Sequence, residues 1–194
     1  MPETFTGKGA GAFIENALKS AIRTVHIVSP WISPEYAKLL VSLAKKGVEV
    51  WILTSDSPEK FHQESLAILL KGKIKVIRRR DPVKTFLPIG LGAAVGFLGG
   101  PLGSILGAIC GCAVGYYWGL SRIVKVNPKL NIKISRKAFV HSKIYIIDGS
   151  YAVVGSANLT HAGLWENIET VTIYRDPEEV EEVKKDYLKL WIMA

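Results

Sequence analysis

From residue 12 to residue 21 apolar side chains return at helical spacing, placing Phe13, Ile14, Ala17, Leu18 and Ala21 on one face. Residues 24–30, TVHIVSP, then run apolar as a buried strand does. The alternation continues, predicting helices over 34–46 and 58–70, the second with Pro58 near its start, and strands over 48–54 and 74–79. After a long interruption come strands through 141–147, 152–154 and 168–174, and a last helix over 177–192 that opens with acids and carries lysines later, as the helix dipole favours. Helices alternating with short apolar strands predict an α/β fold in which helices cover a central sheet.

The interruption is different in kind. Residues 86–120 are thirty-five consecutive positions without a charge and hold ten of the eighteen glycines. Crossing about 30 Å of hydrocarbon takes about 20 apolar residues, so one span fits easily and two are tight. Lys71, Lys73, Lys75, Arg78, Arg79, Arg80 and Lys84 precede the segment, and Arg122, Lys125, Lys129, Lys133, Arg136 and Lys137 follow it. Positive charge at both ends places both on the cytoplasmic side. Strands flanking the segment are expected to join one sheet, so the chain must return to the side it left, by an even number of crossings or a re-entrant dip. Gly99, Gly100 and Pro101 mark the turn between arms over 86–98 and 102–120. Gly103, Gly107, Gly111, Gly115 and Gly119 recur every fourth position, a stripe that admits another helix at close range, and Gly92 and Gly96 offer a matching face. The competing reading is a glycine-rich soluble loop, against which the near absence of polar residues beyond Ser104 weighs.

A chain of 194 residues suits one well-buried core, and a net charge of +8 implies an anionic partner: nucleic acid, phospholipid headgroups or an acidic membrane surface. Cys110 and Cys112 lie two apart inside the apolar run, which fits neither a disulfide framework nor a zinc site. The first residues, MPETFTGKGAGAF, lack the basic-then-apolar pattern of a signal peptide.

Residues 141–158 read HSKIYIIDGSYAVVGSAN. On a strand, His141 and Lys143 share a face, while Asp148 falls at the far end. A free imidazole, with pKa about 6.5, is substantially unprotonated near neutral pH and can attack phosphorus. Lys143, Ser156 and Asn158 supply donors for the charge on non-bridging oxygens. Glu169 could accept from the ring of His141 and fix its tautomer, and Asp148 braces the strand and turn. The ordinary alternatives are a solvated lysine and a self-bonded Ser-x-Asn turn. Among the other histidines, His26 reads as a satisfied core residue, His62 as a helix-surface residue and His161 as a rim residue. Trp31 reads as aromatic packing near the same mouth.

His141, Lys143, Asp148, Gly155, Ser156 and Asn158 stand at the offsets H-x-K-x(4)-D-x(6)-G-S-x-N, which resembles the signature of the phospholipase D superfamily, and Glu169 falls where that family often carries a carboxylate. The resemblance implies an α-β-α sandwich with a mixed central sheet, here interrupted by an apolar helical hairpin. The resemblance extends more weakly over about 12–191 and does not cover the apolar insert, so a discontinuous catalytic domain is expected over 10–84 and 121–194, with the membrane-inserting hairpin read above over 85–120. It also implies phosphodiester hydrolysis through a phosphohistidine, with catalytic residues His141, Lys143, Asp148, Ser156, Asn158 and Glu169 and with neither metal nor cofactor.

A leaving oxygen needs a proton that the phosphorylated histidine cannot give. With one motif per chain, the resemblance implies a homodimer whose two His141 residues meet at the two-fold axis, a dimer the glycine stripe could assist. The chain resembles the small dimeric endonucleases of the superfamily, so DNA or RNA is the first substrate expected. Phospholipid headgroups are the alternative, given the hairpin and the lipid-compatible charge beside it. A non-catalytic membrane scaffold is the third reading.

Overall fold

The computed structural model describes the backbone of all residues except Gly119 and Lys137, and the side chains of all except 75–80, 119–123 and 137. It divides into two compact units, residues 1–73 with 127–194, and residues 74–126.

The first unit is built on a seven-stranded sheet ordered β1-β9-β8-β7-β2-β3-β6. Its strands are β1 Glu3–Lys8, β2 Thr24–Val28, β3 Glu49–Ser55, β6 Leu130–Ser135, β7 Ile144–Ile147, β8 Tyr151–Gly155 and β9 Ile168–Tyr174. β2, β3 and β6 run parallel, and the pairings from β2 through β7, β8 and β9 to β1 are antiparallel, so the sheet is mixed. The helices α1 Ala12–Ser20, α2 Pro34–Lys45 and α3 Lys60–Lys73 cover one face. There Ile14, Leu18, Leu40 and Leu69 close over Ile27, Ile52, Tyr145 and Val153. The helix α6 Pro177–Met193 covers the other face, where Val180, Val183 and Tyr187 meet Val28, Leu53, Ile144 and Ile146. Strand alternation sends Tyr145 and Ile147 to one layer and Ile144 and Ile146 to the other. Pro177 at the first turn of α6, and Asp176 accepting from the backbone N–H groups of Glu178 (3.0 Å) and Glu179 (3.4 Å), fix where that helix begins.

Two strands of this sheet lie at its edges. β1 is almost wholly exposed and is held at the sheet edge by backbone pairing, with Thr4 facing Thr172 and Thr6 facing Thr170. β6 alternates Ile132 and Ile134 with Asn131 and Lys133 at the opposite edge and is mostly half-buried.

The second unit holds β4 Ile74–Arg80, α4 Pro82–Gly96, a short 3-10 turn at Phe97–Gly99, α5 Gly100–Trp118 and β5 Leu120–Val126. β4 and β5 pair antiparallel as a separate two-stranded sheet. The strands flanking the apolar segment thus pair with each other and not with the main sheet, because the hairpin between them brings their ends together. Asp81 caps α4 by accepting from Val83 N (3.0 Å) and Lys84 N (3.3 Å), which starts the first arm at Pro82, four residues before the charge-free run begins. Gly100, at φ +77°, takes the left-handed conformation that reverses the chain.

Gly103, Gly107, Gly111 and Gly115 of the glycine stripe lie between the two arms, and Gly119 lies outside the described residues. A Cβ on Gly107 would stand 2.0 Å from the carbonyl oxygen of Gly92, and on Gly103 2.3 Å from that of Gly96. On Gly111 and Gly115 it would stand 2.2 Å and 2.0 Å from the carbonyls of Pro88 and Thr85. These four glycines are thus occupied by the chain's own first arm and are not free to join two copies. The outward face is apolar and uncovered: Phe86, Leu91, Val95, Phe97, Leu98, Leu102, Ile105, Ile109 and Trp118 are all exposed. By length and composition, Pro82–Trp118 is apolar enough to cross a membrane.

Candidate active site

The parallel strands β2 and β3 end on the same side of the sheet as β7 begins, β8 ends and β9 begins, because β7 runs antiparallel to β2 and β9 to β8. A crevice at the carboxyl ends of parallel strands is where an open α/β sheet exposes backbone and loop side chains together. His141 and Lys143 lie on the extended segment leading into β7, Ser156 and Asn158 on the turn leaving β8, and Glu169 on β9. The backbone stitches these pieces: Gly155 N donates to Lys143 O (3.3 Å) and Ser156 N to Thr170 O (2.9 Å). A Cβ at Gly155 would lie 2.2 Å from the Thr170 carbonyl oxygen, so glycine is what lets the end of β8 run this close to β9.

His141 is exposed, whereas Lys143 is 5% exposed. The Lys143 ammonium donates to the His141 carbonyl at 2.7 Å and stands 3.1 Å from both ring nitrogens. An ammonium only donates, so a ring nitrogen that accepts from it is unprotonated, and its lone pair is freed for attack only when the ammonium turns to another acceptor such as a phosphate oxygen. Burial pulls the Lys143 pKa below its usual value, and the nearby Glu169 carboxylate opposes that pull.

Glu169 is 8% exposed and accepts from the Ser156 hydroxyl and from Asn167 Nδ2 at 3.2 Å. Ser156 Oγ in turn accepts from Thr170 N at 3.0 Å. The expected hydrogen bond from His141 to Glu169 is not among the contacts of the described residues. Both carboxylate oxygens are engaged on the β8–β9 side, and the Ser156 proton is directed at Glu169, not at an open pocket. Asn158 Oδ1 is buried without a hydrogen-bond partner among the described residues, an acceptor left open on the turn. Asp148 stands apart from this cluster, accepting from the backbone N–H groups of Arg23 (2.7 Å), Thr24 (2.9 Å) and Ile22 (3.1 Å). Its part is the bracing one.

Two of the other histidines, His62 and His26, differ from their sequence reading. His62 is wholly buried, not on a helix surface: Nδ1 accepts from Ile32 N at 3.1 Å and Nε2 lies 2.9 Å from Ser55 O. Ser55 Oγ accepts from Val140 N at 2.8 Å, next to His141, so one imidazole ties the loop after β2 to the end of β3 and to the approach of the site. The isolated HQES context of α3 gives no sign of this. His26 packs against Trp51 and Tyr187, but its Nδ1 is buried without a partner among the described residues, and burial pulls its pKa down. His161 is exposed, 3.6 Å from Glu166. Trp31 and Phe139 flank His141, each with its ring centroid 6.1 Å from the imidazole. Phe139 went unremarked in the sequence because a single aromatic between charged residues and a strand carries no periodicity. Among the described residues no group of three or more His, Cys, Asp or Glu converges.

A family described as cardiolipin synthase, PLD-like domain, matches residues 14–191. Comparison with curated protein sequences returned no match. Among solved structures the chain is similar to the phospholipase D family member Nuc from Salmonella typhimurium, at 18% identity and TM-score 0.57, over 98% of this chain and 95% of that one. It is similar to NucT from Helicobacter pylori at 16% identity and TM-score 0.57, over 97% and 94% of the two chains. Phosphatidylserine synthase from Haemophilus influenzae matches at 13% identity and TM-score 0.51, over 97% of this chain but 38% of that one. At these identities the likeness is one of fold.

Proposed function

The chain belongs to the phospholipase D superfamily, through the PLD-like domain family that spans residues 14–191, and on that premise we propose that this phosphodiester-acting enzyme is a metal-independent endonuclease working through phosphohistidine. The observation that supports the reading most is the exposed His141 ring with the buried Lys143 ammonium 3.1 Å from its nitrogens. That pairing puts an unprotonated ring nitrogen and a cation within reach of one phosphate, whose oxygens would take over the ammonium and free the nitrogen for attack.

In the proposed reaction a ring nitrogen of His141 attacks phosphorus, forming an N–P bond as the bond to the leaving oxygen breaks. Lys143 offsets the charge on the non-bridging oxygens, and an Nδ2–H of Asn158 donates to one of them. The leaving oxygen takes a proton from His141 of a second copy, whose imidazole then removes a proton from water. That water attacks phosphorus, the N–P bond breaks, and a phosphate monoester is released. Ser156 and Glu169 act as positioning residues that hold the β8–β9 turn, and Asp148 as a brace. With one such motif in the chain, a second copy is the source of the acid, which supports a homodimer whose site is completed across a two-fold axis. The uncovered apolar face of α4 and α5 supports a membrane anchor, with the catalytic unit on the cytoplasmic side as the flanking positive charge favours.

That same face favours a second reading, hydrolysis of phospholipid headgroups. Detergent-purified protein is incubated with EDTA and either single-stranded nucleic acid or phosphatidylcholine vesicles. Cleavage of the nucleic acid, lost in His141→Asn, is expected; cleavage of lipid alone would overturn the endonuclease reading.

A further inference from the structure

Phe139 is 52% exposed, yet it is anything but loose. The residues on either side of it are tied down: the carbonyl of Ala138 accepts from Ser135 Oγ at 2.6 Å, and Val140 N donates to Ser55 Oγ at 2.8 Å. Trp31, half-buried, is fixed as well, its indole N–H donating to Ser57 Oγ at 3.0 Å and its carbonyl accepting from Ser29 Oγ at 2.7 Å. The two rings lie 5.6 Å apart, tilted by 55°, and His141 completes the triangle, tilted 32° to Phe139 and edge-on to Trp31 at 87°. An aromatic held open to solvent beside the attacking group is out of place as core packing, because the packed core lies elsewhere and half of this ring faces water.

We infer that Phe139, backed by Trp31, is a stacking platform for one unpaired nucleobase adjoining the scissile phosphate, which makes single-stranded nucleic acid the substrate class. This rests on the endonuclease reading. In a nucleotide the base is joined to the phosphate through one sugar, so a phosphate at His141 brings its base to the neighbouring rings. A planar, rigid platform matches a planar base and is indifferent to which base it is, as a nuclease without base readout requires. A base stacked here has left its own helix, so duplex is disfavoured. The aliphatic surface that lipid tails would use belongs instead to α4 and α5.

The test compares wild type, Phe139→Ala and Phe139→Tyr on a single-stranded oligodeoxynucleotide, the same sequence as duplex, and a strand of equal length made of abasic units. Expected are preference for the single strand over the duplex, a KM raised about tenfold by Phe139→Ala with little change in kcat, recovery in Phe139→Tyr, and no effect of Phe139→Ala on the abasic strand. An unchanged KM in Phe139→Ala, an equal loss on natural and abasic strands, or equal cleavage of duplex overturns the platform and leaves the endonuclease standing. Failure of wild type to cut any strand overturns both, and a Phe139-dependent KM for phosphatidylglycerol vesicles in that case assigns the ring to lipid.

Discussion

Asp148 is the described residue other than glycine with a positive φ, 53°, and its carboxylate gathers three successive backbone N–H groups from residues 22–24. Burial works against its ionisation, but the bonds from Thr24, Ile22 and Arg23, with the Arg23 charge, win and hold its pKa below the usual carboxylate range. A carboxyl with a lowered folded-state pKa contributes stability that is complete above its unfolded value, about 3.9, and is lost as the pH falls through the lower folded value. Asp148→Asn is therefore expected to destabilise by about 2 kcal/mol at neutral pH, with the gap to wild type closing below about pH 3.9. Melting temperatures in detergent across that range measure it, and a gap independent of pH contradicts the brace. His62 tests the other support. Replacement by Ala leaves the Ile32 N–H and the Ser55 carbonyl buried without a partner, a cost of about 2–4 kcal/mol. His62→Ala should thus melt lower than wild type, whereas a surface histidine would lose almost nothing on replacement. The motif spacing was enough to bring His141, Lys143, Ser156, Asn158 and Glu169 to one end of the sheet, since strand alternation and the tight β7–β8 turn follow from local sequence. The partners of Glu169 and the role of His62 were not legible, because hydrogen-bond choice among neighbouring loops depends on tertiary placement that no local pattern encodes.

At the scale of elements, those with a buried stripe were readable: α1, α2, β2, β3, β9 and α6 lie within about two residues of their expected ends. β1 was not, since an edge strand needs only backbone partners on one side and can carry threonines; β6 does show a period of two, Leu130, Ile132 and Ile134 alternating with Asn131 and Lys133, yet stands outside the expected elements. The glycine periodicity foretold a close helix contact, and the turn at Gly99–Gly100 made that contact internal. Gly107→Leu is expected to force α4 and α5 apart, since its Cβ alone would meet the Gly92 carbonyl at 2.0 Å, while Gly90→Leu, whose Cβ meets nothing within 4 Å, serves as the tolerated control. Melting and helix content in detergent should fall for the first and hold for the second. Equal behaviour of the two would contradict the packing. At 1.5 Å per residue, 15 residues of α4 and 19 of α5 reach about 22 Å and 28 Å, against about 30 Å of hydrocarbon.

For the molecule as a whole, six of the eight excess positive charges lie in residues 74–126, beside the uncovered apolar hairpin, and the unit that carries the one histidine motif is close to neutral. The charge signalled an anionic partner without choosing one, because lipid headgroups and nucleic acid present the same phosphate diester to a lysine. What separates them in this chain is aromatic, Phe139 and Trp31 beside His141, and that grouping joins residues over a hundred positions apart. The central claim is that His141 bonds to phosphorus. The most direct measurement incubates the protein with a labelled single strand in EDTA, quenches it during turnover under alkaline denaturing conditions, and maps any covalent adduct by mass spectrometry. The account predicts a phosphorylated imidazole at His141, carrying the label on one side of the cut and absent from His141→Asn. Turnover with no covalent adduct, or an adduct on another residue, would contradict it.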